Sequence, residues 1–101
     1  MAFNLLVELP QDNPDWKSIN LKMATYSSKG IECFPIAQYG MKEGNYLGLS
    51  FLGGEIDQNR IDAFVESILY FLQKDFLVFE LYTGTQLSTE NVHALMNDFL
   101  G

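Results

Sequence analysis

The chain begins with an alternation of apolar and polar residues. Between positions 3 and 9, the apolar residues at every second position are Phe3, Leu5, Val7 and Leu9. A period of two is typical of a β-strand with one buried face. Asn4 and Glu8 occupy the other positions together with Leu6. The second face of this predicted strand is therefore not purely exposed to solvent.

Three later segments repeat their apolar residues at intervals of three and four, as amphipathic helices do. The first is predicted to begin at Asn13, an N-cap residue followed by proline, and to end at Gly30. The second is predicted over 57–74, with Asp57 as its N-cap and a broad apolar stripe. The third is predicted to begin at Ser88 and to run towards the end of the chain.

Three further strands are predicted, at 31–39, 46–52 and 76–82. Pro35 cannot donate a backbone hydrogen bond, so the strand that contains it is expected at a sheet edge or with a bulge. The short separation between this strand and 46–52 favours a hairpin. Large apolar residues occur on both faces of 76–82, which favours a central position in the sheet.

The predicted order is β-α-β-β-α-β-α within a single domain, residues 1–101. Two β-α-β halves joined by a hairpin predict an α+β fold with a ferredoxin-like, split β-α-β antiparallel sheet and an extra C-terminal helix. Both main helices are then expected on one face of the sheet. The apolar stripe of the last helix must bury against the other face, a groove or a second chain.

The charge of the chain is unevenly distributed. Its 101 residues carry 13 acidic and 6 basic side chains, a net charge of −7, and the segment 55–101 has eight acids against Arg60 and Lys74. Nucleic-acid binding requires a basic surface that displaces phosphate counterions, so this charge disfavours nucleic acid and anionic membranes. An acidic half favours a basic protein partner through long-range steering, or it serves solubility alone.

The cysteine content and the N-terminus favour a cytoplasmic protein. Cys33 is the single cysteine, so an internal disulfide is excluded and a reducing compartment is favoured. The first residues lack the basic region and the long apolar run of a secretory signal. No apolar stretch reaches the roughly 18 residues of a membrane span.

Nucleotide-binding, phosphate-binding and nucleophile motifs are missing from the sequence. It contains neither a G-x-x-x-x-G-K-[ST] phosphate loop nor G-x-G-x-x-G. Ser50 lies between two glycines, but the second comes one residue too late for a nucleophile elbow. Gly53-Gly54 precedes a helix, yet Glu55 and Asp57 would oppose an anion there, so a tight turn is the better interpretation.

Metal and cofactor sites are not predicted either. A metal site requires several histidine, cysteine or clustered carboxylate ligands, and His93 and Cys33 each stand alone. A Cys–His nucleophilic pair would require these two residues to meet in space. A buried thiol on a strand and an exposed histidine on the last helix form the simpler interpretation.

Glu8 and Glu80 are the carboxylates of greatest interest. Each is predicted on the non-core face of a strand that also carries apolar or aromatic residues. If these strands are neighbours, both glutamates share one acidic and aromatic patch suited to binding; the alternative is two solvated side chains. Sheet-based RNA binders stack bases on such a face, but their strand motif and their basic charge are missing here.

The first functional hypothesis is a protein-interaction module: an inhibitor, immunity or adaptor-like protein that masks a basic surface of another protein. The residues predicted to contact this partner are Glu8, Asp62, Glu66, Glu80 and Tyr82. If charge steers the association, reversing Asp62 and Glu66 together should slow it and flatten its salt dependence.

The second hypothesis is a homodimeric small-ligand-binding or regulatory domain of ferredoxin-like type. Its predicted dimer or sheet-face contacts are Phe76, Val78, Val92, Met96 and Phe99. A third hypothesis, an enzyme without a cofactor, has no specific motif in its support. We therefore expect a binding protein without catalytic residues.

Overall fold

The computed structural model describes residues 2–10, 14–52 and 57–100. These residues form four strands and three helices. The strands are β1 (Ala2–Glu8), β2 (Glu32–Tyr39), β3 (Lys42–Leu52) and β4 (Leu77–Glu80). The helices are α1 (Trp16–Ser28), α2 (Gln58–Gln73) and α3 (Val92–Leu100). The architecture is α+β, as the sequence predicts.

The four strands form one antiparallel sheet in the order β2-β3-β1-β4. The central strand β1 places Leu5 opposite Leu49 of β3 and Glu80 of β4. It likewise places Glu8 opposite Tyr46 of β3 and Leu77 of β4. Directly opposed residues of antiparallel strands lie on the same face of the sheet. The odd positions of β1 therefore define one face, and the even positions define the other.

The odd positions of β1 face the hydrophobic core, and this side is called the inner face. The strand residues in this core are Phe3, Leu5, Val7, Leu47, Leu49, Phe51 and Val78. The buried residues that α1 and α2 add are Ile19, Tyr26, Ala63, Phe64, Val65, Ile68 and Phe71. The ring of Phe64 lies against Phe51 and Phe3, with centroids 5.2 and 6.0 Å away.

The third helix joins the same layer. It packs against α2, and Val92 and Met96 belong to the same core cluster as the strands and the other helices. The sequence-based expectation that its apolar stripe buries against the other face, a groove or a second chain is therefore wrong for these two residues. The helix begins at Val92 rather than at Ser88, because Ser88 lies in a turn in which its N–H donates to Asn91 Oδ1 at 2.6 Å.

Side-chain caps set the beginnings of α1 and α2. Asp15 caps α1: its Oδ1 accepts from the Ser18 N–H at 3.2 Å and its Oδ2 from the Ser18 hydroxyl at 2.8 Å. These hydrogen bonds lower the pKa of Asp15. The predicted cap Asn13 lies outside the described residues, and α1 begins after Asp15. Asp57 caps α2 by accepting from the Arg60 N–H at 2.8 Å, which confirms that prediction.

The edge strands are β2 and β4. Pro35 therefore lies on an edge strand, as predicted, and the pairing of β2 also shifts register between Ile36 and Gln38. The predicted central position of the fourth strand is wrong. Its outer edge is instead partly covered by the segment that follows it, through the bridge between Phe79 and Gln86. The large residues Leu77 and Phe79 of β4 lie opposite Glu8 and Leu6, on the face of the sheet away from the core.

Candidate functional site

The even positions of β1 define the outer face of the sheet, which the described helices leave open because all three pack on the inner face. Register places on it Asn4, Leu6, Glu8, Glu32, Phe34, Ile36, Tyr46, Gly48, Ser50, Leu77 and Phe79. Most of these residues are apolar or aromatic. A contiguous apolar patch that stays exposed commonly marks an interaction surface, so the outer face is the candidate functional site.

A groove of about 230 Å³ runs across the outer face. The residues that line this outer groove are Leu6, Glu8, Tyr39, Lys42, Tyr46, Phe79, Glu80, Leu81 and Gly84. One side is contributed by the β2–β3 hairpin and the other by β4 and the turn after it. Leu6 and Tyr46 are only 5% and 3% exposed, although no described helix lies above them. Their burial by neighbouring side chains gives the groove a preformed apolar floor.

An ion pair between Glu8 and Lys42 borders the groove. The Lys42 Nζ donates to Glu8 Oε1 at 3.1 Å, and the side chains are 69% and 20% exposed, respectively. Glu8 is thus held by the central strand, whereas Lys42 extends from the exposed hairpin. The hydrogen bond to Glu8 raises the pKa of Lys42. A largely exposed pair of this kind contributes little to folding, so Glu8 is available for another role.

A polar group lies farther along the same face. The Ser50 hydroxyl donates to Asn4 Oδ1 at 2.5 Å, and the Asn4 amide donates to the Tyr82 hydroxyl at 3.3 Å. The ring of Tyr82 nevertheless stays 76% exposed. Ser50 therefore serves this network and is 7% exposed. Tyr82 presents an amphipathic ring beside the sheet, which is typical of residues in protein interfaces.

The aromatic residues of β2 extend this surface to the sheet edge. Phe34 lies over Gly48, and a Cβ atom built on Gly48 would come within 2.5 Å of its ring. The rings of Tyr39 and Tyr46 lie with centroids 6.4 Å apart. Phe34 and Tyr39 are 44% and 46% exposed. Their contacts are with other residues of the outer face, so the surface is partly ordered in advance.

Glu80 has a structural position rather than the one the sequence predicts. By register it lies opposite Leu5, on the other face from Glu8, although both glutamates line the outer groove. Its carboxylate accepts from the Thr83 N–H and hydroxyl, both at 2.6 Å, and from the Tyr82 N–H at 3.1 Å. Burial alone would raise the pKa of Glu80, but these hydrogen bonds outweigh it and lower the pKa. Glu80 thus fixes the turn that carries Tyr82.

Asp62 and Glu66 lie on the opposite layer from Glu8 and Tyr82. Both are exposed on α2, so the five predicted partner contacts do not form one surface. Among the described residues around α1 and α2, acidic and basic side chains are equal in number. The basic residues there are Lys17, Lys22, Lys29, Arg60 and Lys74, and the acidic residues are Asp15, Asp57, Asp62, Glu66 and Asp75. The strands, by contrast, carry Glu8, Glu32, Glu43 and Glu80 against Lys42 alone.

Most of the predicted dimer contacts lie inside the domain. Val78, Val92 and Met96 belong to the buried core, and Phe76 is partly buried against it. The reason for Val78 is its register, because it lies opposite Val7 on the inner face. Phe99 belongs to α3, but its side chain lies outside the described part of the structure. Exposed apolar and aromatic residues cluster on and beside the outer face, whereas Leu21 on α1 and Met41 in the hairpin turn are exposed elsewhere.

The structure gives no chemical role to Cys33 or His93. Cys33 is half-buried on β2, burial raises the pKa of its thiol to about 11, and its Sγ donates to the Ile31 carbonyl. Such a thiol is protonated at neutral pH and is a poor nucleophile. His93 is exposed on α3. Among the described residues, no three potential metal ligands come together.

Several residues of the outer face are not singled out by sequence reasoning. Phe34 and Tyr39 lie on the predicted strand 31–39, whereas Lys42 begins β3 four residues before the predicted strand 46–52. The sequence feature that indicates this surface is Leu6, an apolar residue between the polar residues Asn4 and Glu8 on the same face of β1. It indicates an apolar second face without identifying the residues that surround it.

No protein-family model, curated protein or solved structure matches the chain. No helix among the residues described is both long and apolar enough to cross a membrane. The function is therefore inferred from the geometry of the outer face.

Proposed function

We propose that this chain is a protein-interaction module that binds a basic partner protein through the outer face of its sheet. The observation that carries the proposal is the apolar and aromatic surface left open by the helix layer, with Phe34, Tyr39, Leu77 and Tyr82 exposed around a preformed floor. Aromatic residues are enriched in protein interfaces, and they bury large areas at a low cost in side-chain entropy.

The distribution of charge supports a basic partner. Among the described residues, the segments of α1 and α2 carry equal numbers of acidic and basic side chains, whereas the strands have three accessible glutamates, Glu8, Glu32 and Glu43, and one lysine. Exposed acidic residues at the border of an interface accelerate association with a basic protein and disfavour acidic competitors. Masking a basic surface in this way suits an inhibitor, an immunity protein or an adaptor.

The state of the carboxylates supports binding rather than catalysis. A general acid near neutral pH needs a raised pKa, but the pKa of Glu80 is lowered and its oxygens serve the turn. Glu8 lies at an open groove and is paired with Lys42. A cytoplasmic location is also part of the proposal, supported by the free thiol of Cys33.

We further infer that the architecture is of the ferredoxin-like kind. The order of elements from β1 to β4 and the sheet order β2-β3-β1-β4 support it. The third helix is an addition to this arrangement. In this interpretation, α3 extends the helix layer and leaves the sheet open for the partner.

An affinity capture from the native host's lysate tests the proposed surface. Three baits are compared: the wild type, the outer-face variant F34S/Y82S, and the control L21S. Leu21 is matched to the other two because it is an exposed apolar residue on α1. We expect the wild type and L21S to retain one basic protein at low salt, and moderate salt to weaken its capture. The outer-face variant should lose it.

If the F34S/Y82S bait still captured the basic protein, the outer face would not be the binding surface. The same would follow if L21S abolished capture as completely as F34S/Y82S. If each bait is recovered alone, light scattering at high micromolar concentration decides the alternative. A wild-type dimer that the outer-face variant dissociates would replace the basic partner with a second copy of the chain. A monomer with no captured partner would contradict both.

Charge reversals on the two layers separate the outer-face proposal from the prediction based on α2. We expect E32K/E43K on the strands to slow association and to flatten its salt dependence more than D62K/E66K on α2. Stopped-flow or surface-based rate measurements with the captured partner provide the comparison. A larger effect of D62K/E66K would place the steering charge on the helix layer.

A further inference from the structure

The size of the outer groove indicates what kind of group it accepts. Its volume is about 230 Å³, which is below the roughly 300–1,000 Å³ of a typical small-molecule site. A space of this size fits one large side chain. In protein interfaces, much of the binding free energy comes from a few anchor side chains that enter pockets of the partner, and arginine, tyrosine and tryptophan are the most frequent.

The walls of the groove are suited to a long side chain with a flat head. Leu6 and Phe79 provide an apolar lining, and the Tyr46 ring belongs to the buried floor. The Tyr39 ring stands beside it, with the two centroids 6.4 Å apart. An aliphatic stem packs favourably on such a surface, and a cationic head interacts with the face of an aromatic ring.

Glu8 adds a fixed carboxylate to this aromatic wall. Its Oε1 accepts from the Lys42 Nζ at 3.1 Å, whereas its Oε2 accepts no hydrogen bond from any described residue. The side chain is only 20% exposed and is attached to the central strand. Of the two Glu8 oxygens, one is therefore paired with an exposed surface cation and the other has unused accepting capacity.

We infer that the outer groove receives an arginine side chain of the partner, whose guanidinium donates to Glu8 and lies against the rings of Tyr39 and Tyr46. This inference rests on the proposed function and specifies the chemistry of the partner. Arginine fits better than lysine because its planar head both stacks on aromatic rings and binds a carboxylate through paired N–H groups. Lys42 keeps Glu8 paired in the free protein and competes with the incoming guanidinium.

The inference is tested on the isolated protein by NMR titration with three probes. These are the N-acetyl methylamides of arginine, of lysine and of citrulline, the uncharged analogue of arginine. We expect the arginine probe to produce saturable shifts of the backbone amides of Glu8, Tyr46 and Phe79 at millimolar to tens of millimolar concentrations. Citrulline should bind about tenfold more weakly, because it lacks the charge. Equal responses to arginine and citrulline, or no saturable response to arginine, would overturn the inference.

Two substitutions in the groove should act in opposite directions. E8Q should weaken binding of the arginine probe about tenfold, because it removes the charge of the acceptor. K42Q should strengthen it severalfold, because it removes the competing cation. The matched control E90Q changes an exposed glutamate in the turn before α3, outside the lining of the outer groove, and should leave the affinity unchanged. A purely structural effect of E8Q would instead make K42Q weaken the arginine probe as well, which would contradict the inference.

The partner assays distinguish failure of this inference from failure of the proposed function. If F34S/Y82S abolishes capture of the partner while E8Q leaves its affinity unchanged, the outer face binds the partner but the groove does not take an arginine. If neither change affects capture, the proposed function itself fails.

Discussion

The two faces of the sheet are built from similar residues and differ in what lies above them. On β1, Leu5 and Val7 point into the core, whereas Leu6 and Glu8 point to the outer face. The inner face is closed by three helices, whereas no described helix covers the outer face. An apolar residue therefore becomes core or binding surface according to where the helices pack, not according to its hydrophobicity.

The strongest test of this comparison is to remove one phenylalanine from each face. Phe64 is fully buried between the helices and the inner face, and Phe34 is 44% exposed on the outer face. We expect F64A to lower the free energy of unfolding by about 3–5 kcal/mol through lost burial and a cavity. F34A should lower it by about 1 kcal/mol. Urea denaturation measures both, and similar losses would mean that the outer face is part of the core.

The second test removes the charge of Glu80, the buried carboxylate that holds the turn at the boundary of the two faces. E80Q is expected to lower the free energy of unfolding by about 1–3 kcal/mol, because three donors lose a charged acceptor. The matched control E90Q alters an exposed glutamate in the turn before α3 and should change stability by less than about 0.5 kcal/mol. If E80Q and E90Q changed the free energy of unfolding equally, Glu80 would not stabilise the turn.

The pH dependence of stability adds an independent measurement for Glu80. Its pKa in the folded protein lies below the ordinary value of 4.5, so the unfolded chain takes up the proton first as the pH falls. The stabilisation by Glu80 is then present above pH 4.5 and is lost as the pH falls through the lower, folded-state value. E80Q should therefore lose less stability on acidification than the wild type. Parallel curves would contradict this.

The third test concerns a hydroxyl buried on the inner side. Tyr26 is fully buried, and its hydroxyl has no hydrogen-bond partner among the described residues. Y26F should raise the free energy of unfolding by about 1–2 kcal/mol, since a buried polar group without a partner is destabilising. The control Y39F removes a hydroxyl from the exposed ring of Tyr39 on the outer face and should have almost no effect. A loss of stability in Y26F would contradict this account.

Alkaline titration provides a second measurement on Tyr26. Burial raises its pKa from 10.0 to about 12. The folded state then holds its proton while the unfolded state loses it, so the wild type should lose stability as the pH rises from 10.0 to about 12. Y26F lacks this component, and its advantage over the wild type should grow across the same range. An advantage that stays constant would mean that Tyr26 titrates like an exposed tyrosine.

The inner layer could be predicted from the sequence because it depends on local patterns. The stripe of α2, the Asp57 cap and the alternation of β1 each need only neighbouring residues. Pro35 similarly indicates an edge or a bulge on its own, and both are present. Where each helix packs is not a local property. For this reason, the packing of α3 into the helix layer could not be predicted from the sequence.

The outer site could be predicted only in part, because it depends on strand register. A shift of one residue moves every side chain to the other face. Glu80, predicted on the same face of the sheet as Glu8, lies for this reason opposite Leu5 in the strand register. Lys42 and Tyr39 reach the groove only through the hairpin that joins β2 and β3. Local patterns contain no information on such pairings across strands.

The smallest expected effect probes how firmly the outer face is packed. A Cβ atom at Gly48 would come within 2.5 Å of the Phe34 ring. G48A must therefore displace this ring, but the ring is 44% exposed and can turn into solvent. We expect a loss of about 1 kcal/mol or less in the free energy of unfolding, at the lower end of the cost of overpacking. Binding of the basic partner should weaken as well, since the aromatic surface is disturbed.

A double-mutant cycle with F34A isolates the contact between Gly48 and Phe34. Without the Phe34 ring, G48A meets no steric conflict and should be neutral or slightly stabilising, because alanine restricts the unfolded chain more than glycine does. The two substitutions should therefore couple by about 1 kcal/mol. Additive effects would mean that the ring does not rest on Gly48 in solution. The outer face would then lack the preformed order that distinguishes a binding surface from a merely uncovered sheet.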